Sequence, residues 1–467
     1  MAALGHARSS PDGSADAFAR PYVISWNLTY RCNLACEHCY LDAGGKPAID
    51  TPAFADRSEL DTAACFRVVD EIAAFAPDGL LILTGGEPLL RRDIVEIIRY
   101  AAARELWVVV GTNGVKITAN LAAILKREGV RGLSLSLDAL DEARHDAFRR
   151  VTGAFRNTVE GAKILAREGL PFIVQTTVGR HNVDELAAIA EFAHAELGAR
   201  VWNLYFLVPT GRGAHVSDLA DAEYDRVLGE LAVIQRTFAG RMLVNAKCAP
   251  HYVRILQADD PTSPFLKSYA GGAGGCPAGT HYLGIRPNGD VTPCPYLPEF
   301  GGNLRAESLR EIWQTSDVFV RIRDRASLGG RCGSCELQAA CGGCRARAYG
   351  MTGDVMAEDA LCTHVPGTFT TVAPATLEYG ALAGTEIASP HSTEIASSRS
   401  TDADVIAWDP DARARMKDIP AFVRGMVTRR VEAYCREQGI VRVTPEILAE
   451  IRARMPTPKL FGMMRGS

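Results

Sequence analysis

Ten of the chain's 13 cysteines fall in two groups, Cys32 to Cys39 and Cys276 to Cys362. The first group reads C-x3-C-x2-C through Cys32, Cys36 and Cys39. Three thiolates are one too few to close a structural zinc site, whereas an iron–sulfur cubane held by three cysteines keeps one iron open to a small molecule. The second group runs Cys276, Cys294, Cys332, Cys335, Cys341, Cys344 and Cys362, too ordered a series to be chance packing in a core. Its two C-x2-C pairs serve zinc as readily as iron, so structural zinc and iron–sulfur clusters are both open readings here. Cys65 and Cys435 sit in helical patterns and are expected to be buried thiols.

Such ligands need a rigid frame, and the first half of the chain supplies an alternating one. Tyr22 to Leu28 is apolar and β-prone, and delivers the first cysteine loop from its C-terminal end. Asp61 to Phe75 has helical spacing, and Leu80 to Leu83 is a short buried strand stopped by Thr84-Gly85-Gly86. The alternation continues with helices over Asp93 to Arg104, Leu121 to Glu128, Phe155 to Glu168 and Val183 to Leu197. Between them lie strands over Leu106 to Val110, Leu133 to Leu137, Phe172 to Val178 and Val201 to Val208. Six strands alternating with helices predict an α/β fold with a parallel sheet, whose sites lie at the C-terminal strand ends. An open six-unit barrel and a doubly wound sheet share this pattern.

After a helix over Tyr224 to Phe238 the alternation stops, and a glycine- and cysteine-rich region begins near Lys247. A short hairpin is predicted over His281 to Ile285 and Asp290 to Thr292. With little core of its own, this region is expected to draw stability from bound metal. Residues 367–404 read as a flexible Ser/Thr/Ala/Gly linker in which Thr385 to Ser389 recurs as Thr393 to Ser397. Residues 405–467 read as a small helical module, with helices over Ala412 to Gln438 and Pro445 to Met455. Residues 411–467 carry 12 Lys/Arg against 6 Asp/Glu, net +6, leaving −10 for residues 1–410.

Hydrophobic content of 47% and charged content of 23% are those of a globular enzyme, and the formal charge of −4 argues against a nucleic-acid partner. Residues 1–20 are expected to be disordered; they lack the apolar run of a signal peptide, and no later stretch is long enough for a membrane span. A cytoplasmic protein with metal-bound or redox cysteines is expected.

The cysteine loop, with Tyr40 after its last cysteine, resembles that of the radical SAM enzymes, and the resemblance extends over residues 21–215. It implies a partial (β/α)6 TIM-type barrel and a [4Fe–4S] cluster on Cys32, Cys36 and Cys39, whose open iron chelates S-adenosylmethionine. Reductive cleavage of that cofactor would give a 5′-deoxyadenosyl radical, with the electron from an external donor such as a flavodoxin or ferredoxin. Gly85-Gly86-Glu87-Pro88 looks like the family loop that contacts the methionine amino group; glycines admit a ligand to the backbone and a carboxylate pairs an ammonium. Ser136 and Asp138 match where the family binds the ribose hydroxyls and carboxylate of the cofactor, and Asn113 lies on a similar rim loop. Pro209 to Gly213 is expected near adenine, with Arg212 pairing a carboxylate.

Residues 216–366 resemble a bridging helix followed by the SPASM extension of such enzymes, which carries one or two auxiliary [4Fe–4S] clusters. By that resemblance Cys332, Cys335, Cys341 and Cys362 would hold one cluster, and Cys276, Cys294 and Cys344 a second. Only two residues, Gly342 and Gly343, separate Cys341 from Cys344, where the family often has three. The second set lacks a local fourth ligand: Cys248 completes it, substrate does, or a single cluster forms. The run from Cys341 to Tyr349 resembles the radical SAM proteins of the alternative haem and haem d1 pathways, which alter side chains of iron porphyrinoids. Arg345 and Arg347 are apt for propionates. Val405 to Met455 resembles the small C-terminal domain of light-independent protochlorophyllide reductase, and its arginines, Arg413 and Arg415 among them, could attract an acidic tetrapyrrole. A tetrapyrrole is thus the expected substrate; a ribosomal peptide is the alternative, and a non-catalytic iron–sulfur carrier would not need the cofactor loops.

Overall fold

The computed structural model describes residues 18, 20–44, 56–216, 219–261, 266, 275–370, 372, 406–417, 431, 434, 435, 438 and 440–454. The six expected strands are present as β1 (Val23–Asn27), β2 (Leu80–Thr84), β3 (Trp107–Thr112), β4 (Gly132–Ser136), β5 (Phe172–Val178) and β6 (Val201–Phe206). All neighbours pair in parallel and in sequence order, as right-handed crossover units require. Runs such as Leu80 to Leu83 are apolar throughout because parallel strands are covered on both faces.

The crossover helices are α1 (Thr62–Phe75), α2 (Ile94–Ala103), α3 (Ala119–Arg127), α4 (Glu142–Arg149), α5 (Ala154–Arg167) and α6 (Leu186–Ala195). Side-chain caps start three of them: Asp61 accepts from Ala64 N at 2.7 Å, Thr118 from Leu121 N at 3.2 Å and Asp141 from Arg144 N at 2.8 Å. Helix α4 is absent from the sequence reading, which passes from β4 to the helix near Phe155. It is two turns long and strongly polar, so its apolar stripe is only His145 and Phe148.

The alternation does not stop after residue 238. Helix α7 (Asp221–Thr237) leads into a seventh parallel strand, β7 (Leu243–Lys247), beside β6, and then α8 (Tyr252–Asp259). The expected hairpin, β8 (Tyr282–Ile285) and β9 (Asp290–Thr292), turns at Gly289 with φ +96° and is joined by β10 (Gly302–Asn303). Strand β8 pairs in parallel with β1, so the cysteine-rich extension continues the main sheet, in the order β10-β9-β8-β1-β2-β3-β4-β5-β6-β7. The expectation of little core there is also corrected. Leu309, Ile312, Trp313 and Phe319, on two short helices over Leu309–Thr315 and Asp317–Arg323, belong to the same core as Trp26, Ile72 and Leu204.

The predicted linker lies almost wholly outside the described residues, as do residues 1–17, the repeat and much of the helix expected over Ala412 to Gln438. Helices over Pro410–Lys417 and Pro445–Arg454 flank a short parallel ladder of Ala407–Trp408 with Arg442–Val443. Cys435 is buried there with Ala412, Val431, Val443 and Ile451, and Cys65 is buried in the main core, as both thiols were expected to be. No helix among the described residues is long and apolar enough to cross a membrane. Leu204, fully buried at the centre of β6, should cost about 2–5 kcal/mol when changed to alanine, read as a lower urea midpoint of the apoprotein.

Candidate active site and auxiliary thiol clusters

Cys32, Cys36 and Cys39 face one cavity of about 190 Å³ at the C-terminal ends of β1 to β6. None of the chain's cysteines is in a disulfide. The loop that carries them is fastened from both sides. Gly86 N donates to Thr29 O at 2.7 Å and Glu87 N to Arg31 O at 2.8 Å. A Cβ on Gly86 would lie 2.2 Å from Arg31 O, so only glycine allows this approach. From beyond β6, Arg212 donates to Cys36 O at 2.9 Å, Ala43 O at 2.8 Å and Asp42 Oδ1 at 2.8 Å. Arg212 does pair a carboxylate, but it is the chain's own Asp42, and the guanidinium is spent on holding the loop.

Donors point at the sulfurs: Leu34 N lies 3.4 Å from Cys32 Sγ, Ala43 N 3.3 Å from Cys39 Sγ, and Arg149 Nη1 3.5 Å from Cys36 Sγ. Burial pushes the Cys32 thiol up to about 12 and the Cys39 thiol upward. Thiols so placed become thiolates only with a cationic partner beside them, which suits a metal cluster.

Gly85, Gly86, Asn113 and Ser136 line the cavity, as expected of cofactor contacts. Asn113 also reaches the cysteine loop, Nδ2 to Asn33 Oδ1 at 2.9 Å. Glu87 and Asp138 do not line it. Glu87 is turned inward, where its carboxylate accepts from Leu89 N at 3.0 Å, from Thr112 Oγ1 at 2.9 Å and from Asn113 N at 2.9 Å. Burial outweighs these bonds and raises its pKa to about 7. Asp138 lies fully buried behind the rim, ion-paired to Arg149 and accepting from Thr177 N at 2.8 Å. Burial pushes the Asp138 carboxyl up, but Arg149 and the imidazoles of His38, His145 and His181 outweigh it and hold the group at about 2.

Arg149, which the sequence reading missed, is thus a second cation lining the cavity beside Arg212, and it touches Cys36 and Asp138. It ends α4, and the Asp141 cap was the signal that could have revealed that helix. Its neighbour Phe148 stacks between His38, at 4.4 Å, and His181, at 3.8 Å. Tyr40, Tyr205, Tyr282 and Tyr296 form the opposite wall, with Tyr40 and Tyr296 4.5 Å apart between ring centroids.

The second cysteine group divides in two. Cys332, Cys335, Cys341 and Cys362 line one cavity with Gly342, Gly343, His251 and Asp359. Leu337 N lies 3.4 Å from Cys335 Sγ and Gly343 N 3.4 Å from Cys341 Sγ. Glu336 and His364 stand beside Cys335, but their groups bond each other at 3.0 Å. Cys276, Cys294 and Cys344 pack in a separate apolar cluster, and Cys248 packs with them. Cys248 reaches it from the end of β7, in a left-handed backbone conformation with φ +58°. Burial and the neighbouring sulfurs push the Cys248 and Cys294 thiols well up, and the Cys344 thiol to about 12.

The short spacing between Cys341 and Cys344 has a backbone cause. Gly342 and Gly343 are both left-handed, with φ +69° and +60°, and send the two cysteines into different groups. The expectation that Arg345 and Arg347 bind propionates is overturned. Both are buried, Arg345 donating to Val355 O at 2.8 Å and Ala357 O at 2.7 Å, Arg347 to Asp359 Oδ2 at 3.1 Å and Cys248 O at 2.8 Å.

Residues 26–193 match the Radical SAM superfamily and residues 276–344 the SPASM iron–sulfur cluster-binding domain. Residues 408–452 match the proto-chlorophyllide reductase 57 kD subunit. The AdoMet-dependent heme synthase of Methanosarcina barkeri is 39% identical over 352 residues, 74% of this chain and 97% of that protein. The chain belongs to the radical SAM superfamily. The pre-heme d1 synthase of Dinoroseobacter shibae is 30% identical to this radical SAM enzyme over 374 residues, 76% of the chain and 88% of that protein. Crystalline Streptococcus suis SuiB bound to S-adenosylmethionine shares the fold, with a TM-score of 0.57 at 19% identity over 74% of this chain and 78% of that one. Radical SAM and SPASM domains together mean that the enzyme uses [4Fe–4S] clusters and S-adenosylmethionine.

Asp138 has a depressed pKa, about 2 against 3.8, so its contribution to stability is present above pH 3.8 and is lost as pH falls through 2. Asp138→Asn in the apoprotein of this radical SAM enzyme should lower the denaturation midpoint at pH 7 and close the gap to the parent near pH 2. A gap that stays constant over that range would refute the ion-pair account.

Proposed function

We propose that this radical SAM enzyme acts on an iron tetrapyrrole, removing or decarboxylating a propionate side chain. The observation that carries the radical chemistry is the convergence of Cys32, Cys36 and Cys39 with the glycine and polar rim of β2 to β4 in one cavity. When bound, a [4Fe–4S] cluster with S-adenosylmethionine supplies a 5′-deoxyadenosyl radical able to abstract a substrate hydrogen. Cys32, Cys36 and Cys39 would hold that cluster. Gly85, Gly86, Asn113 and Ser136 would contact the cofactor, while Glu87 and Asp138 would act from behind by fixing Asn113 and Arg149.

The substrate assignment draws on the named activities of the two relatives and on the chain's own aromatic wall. Tyr40, Tyr205, Tyr282 and Tyr296 line the cavity and would offer aromatic surface with polar tips to a macrocycle. The extension lines the cavity with Tyr282, Pro295 and Tyr296, and with substrate in place it would help keep water from a reactive radical. The module matching protochlorophyllide reductase, with Arg413 and Arg415 exposed, would present tetrapyrrole to the body of the enzyme. An external flavodoxin or ferredoxin is the donor we assign, and the cytoplasm the compartment, since eleven grouped free thiols need reducing conditions.

Titrating the anaerobic, reconstituted enzyme with iron coproporphyrin and sirohaem derivatives should shift the Soret band and yield deoxyadenosine. No response to any tetrapyrrole would overturn the substrate assignment. Changing Cys32, Cys36 and Cys39 to Ala should abolish deoxyadenosine formation and leave roughly eight of twelve irons. Stoichiometric zinc without iron absorption would defeat the assignment of clusters to these cysteines.

We assign Cys248 as fourth ligand of the group formed by Cys276, Cys294 and Cys344. Cys248→Ala should remove or alter one auxiliary EPR signal and leave the others; identical spectra and iron content would exclude it as a ligand.

A further inference from the structure

The two auxiliary thiol groups stand on either side of one buried ion pair. Arg347 is 0% exposed and Asp359 1%. Arg347 Nη1 donates to Asp359 Oδ2 at 3.1 Å, and Nη2 donates to Cys248 O at 2.8 Å and to Leu207 O at 3.1 Å. The Tyr224 ring lies 5.1 Å from its guanidinium carbon. Asp359 Oδ2 accepts from Cys344 N at 2.9 Å, and the residue itself lines the cavity of Cys332, Cys335, Cys341 and Cys362. The pair is therefore unsymmetrical: its cation lies against Cys248 alone, while its anion both bonds Cys344 N and lines the wall of the other group.

Burying an ion pair is costly, and an apolar side chain of similar volume could fill the same space at less cost. What an apolar residue cannot supply is a fixed field, which low-dielectric surroundings make strong. A positive charge beside a thiolate-bound cluster favours the more negative, reduced state, and a negative charge disfavours it. We propose that Arg347 and Asp359 form a fixed dipole that separates the auxiliary groups in reduction potential, making the group of Cys248, Cys276, Cys294 and Cys344 the more easily reduced. That group is also the one nearest the chemistry: Val208 and Tyr296 pack against it and line the active-site cavity. Both residues of the pair are positioning residues that carry no electron and touch no substrate.

The inference rests on the two-cluster reading above, and redox titration followed by EPR tests the two separately. The protein is the full reconstituted chain with Cys32, Cys36 and Cys39 changed to Ala, so that only auxiliary signals remain; Cys248→Ala identifies the inner one. Arg347→Gln should shift the inner potential negative and narrow the gap, and Asp359→Asn should shift the outer potential positive. Arg347→Lys, which keeps the charge, should preserve the order. If Arg347→Gln loses iron, Asp359→Asn and Arg347→Lys decide. An unchanged gap in variants with full iron would overturn the dipole; only roughly four irons in the parent of this background would overturn the two-cluster reading instead.

Discussion

Burying many thiols together is the constraint on which this structure turns. Eleven of the 13 cysteines converge in three groups, and in each group burial raises a thiol, Cys32, Cys294 and Cys341 among them, toward its protonated form. A protonated thiol is a weak metal ligand, so the groups make chemical sense only with cations among them. The surrounding protein prepares for that in two ways. Amides of Leu34, Ala43, Leu337 and Gly343 point at sulfur, and arginines stand beside the groups at Arg149 and Arg347.

The arginines of this enzyme serve the framework before they serve any ligand. Arg212 closes the cysteine loop through three oxygens, and Arg345 is absorbed by backbone carbonyls. Arg149 and Arg212 both line the cavity, and Arg149 is held there by a carboxylate that the cavity never sees. Charge at the site is therefore delivered from the second layer of residues.

The sequence made the frame and the ligands legible to different degrees. Strands β1 to β6 were readable because each is a short, β-prone and largely apolar run that alternates with a segment of helical period. Strand β7 was not, since Leu243 to Lys247 mixes Asn245 and Lys247 into a short run after a break in pattern. The cysteine loop was readable from its spacing, and the glycine rim from its resemblance to the family's cofactor loop. Direction was not readable: nothing in the sequence tells that Glu87 and Asp138 turn inward while Asn113 and Ser136 turn to the cavity. The same limit left Cys248 as one of three options in the sequence: it is 28 positions before Cys276 and packs with that group from the end of the edge strand β7.

The parallel pairing of β8 with β1 joins two regions that a list of domains would separate. Val23 to Trp26, the stem of the cysteine loop, is hydrogen-bonded on one side to the barrel and on the other to the extension. Strand β8 begins six residues after Cys276 and its hairpin ends two before Cys294. Oxidative loss of metal at Cys276 and Cys294 would thus loosen the strand beside β1 and so the mounting of the radical-generating loop. Damage in the extension would be felt at the radical-generating loop, and the two regions would fail together.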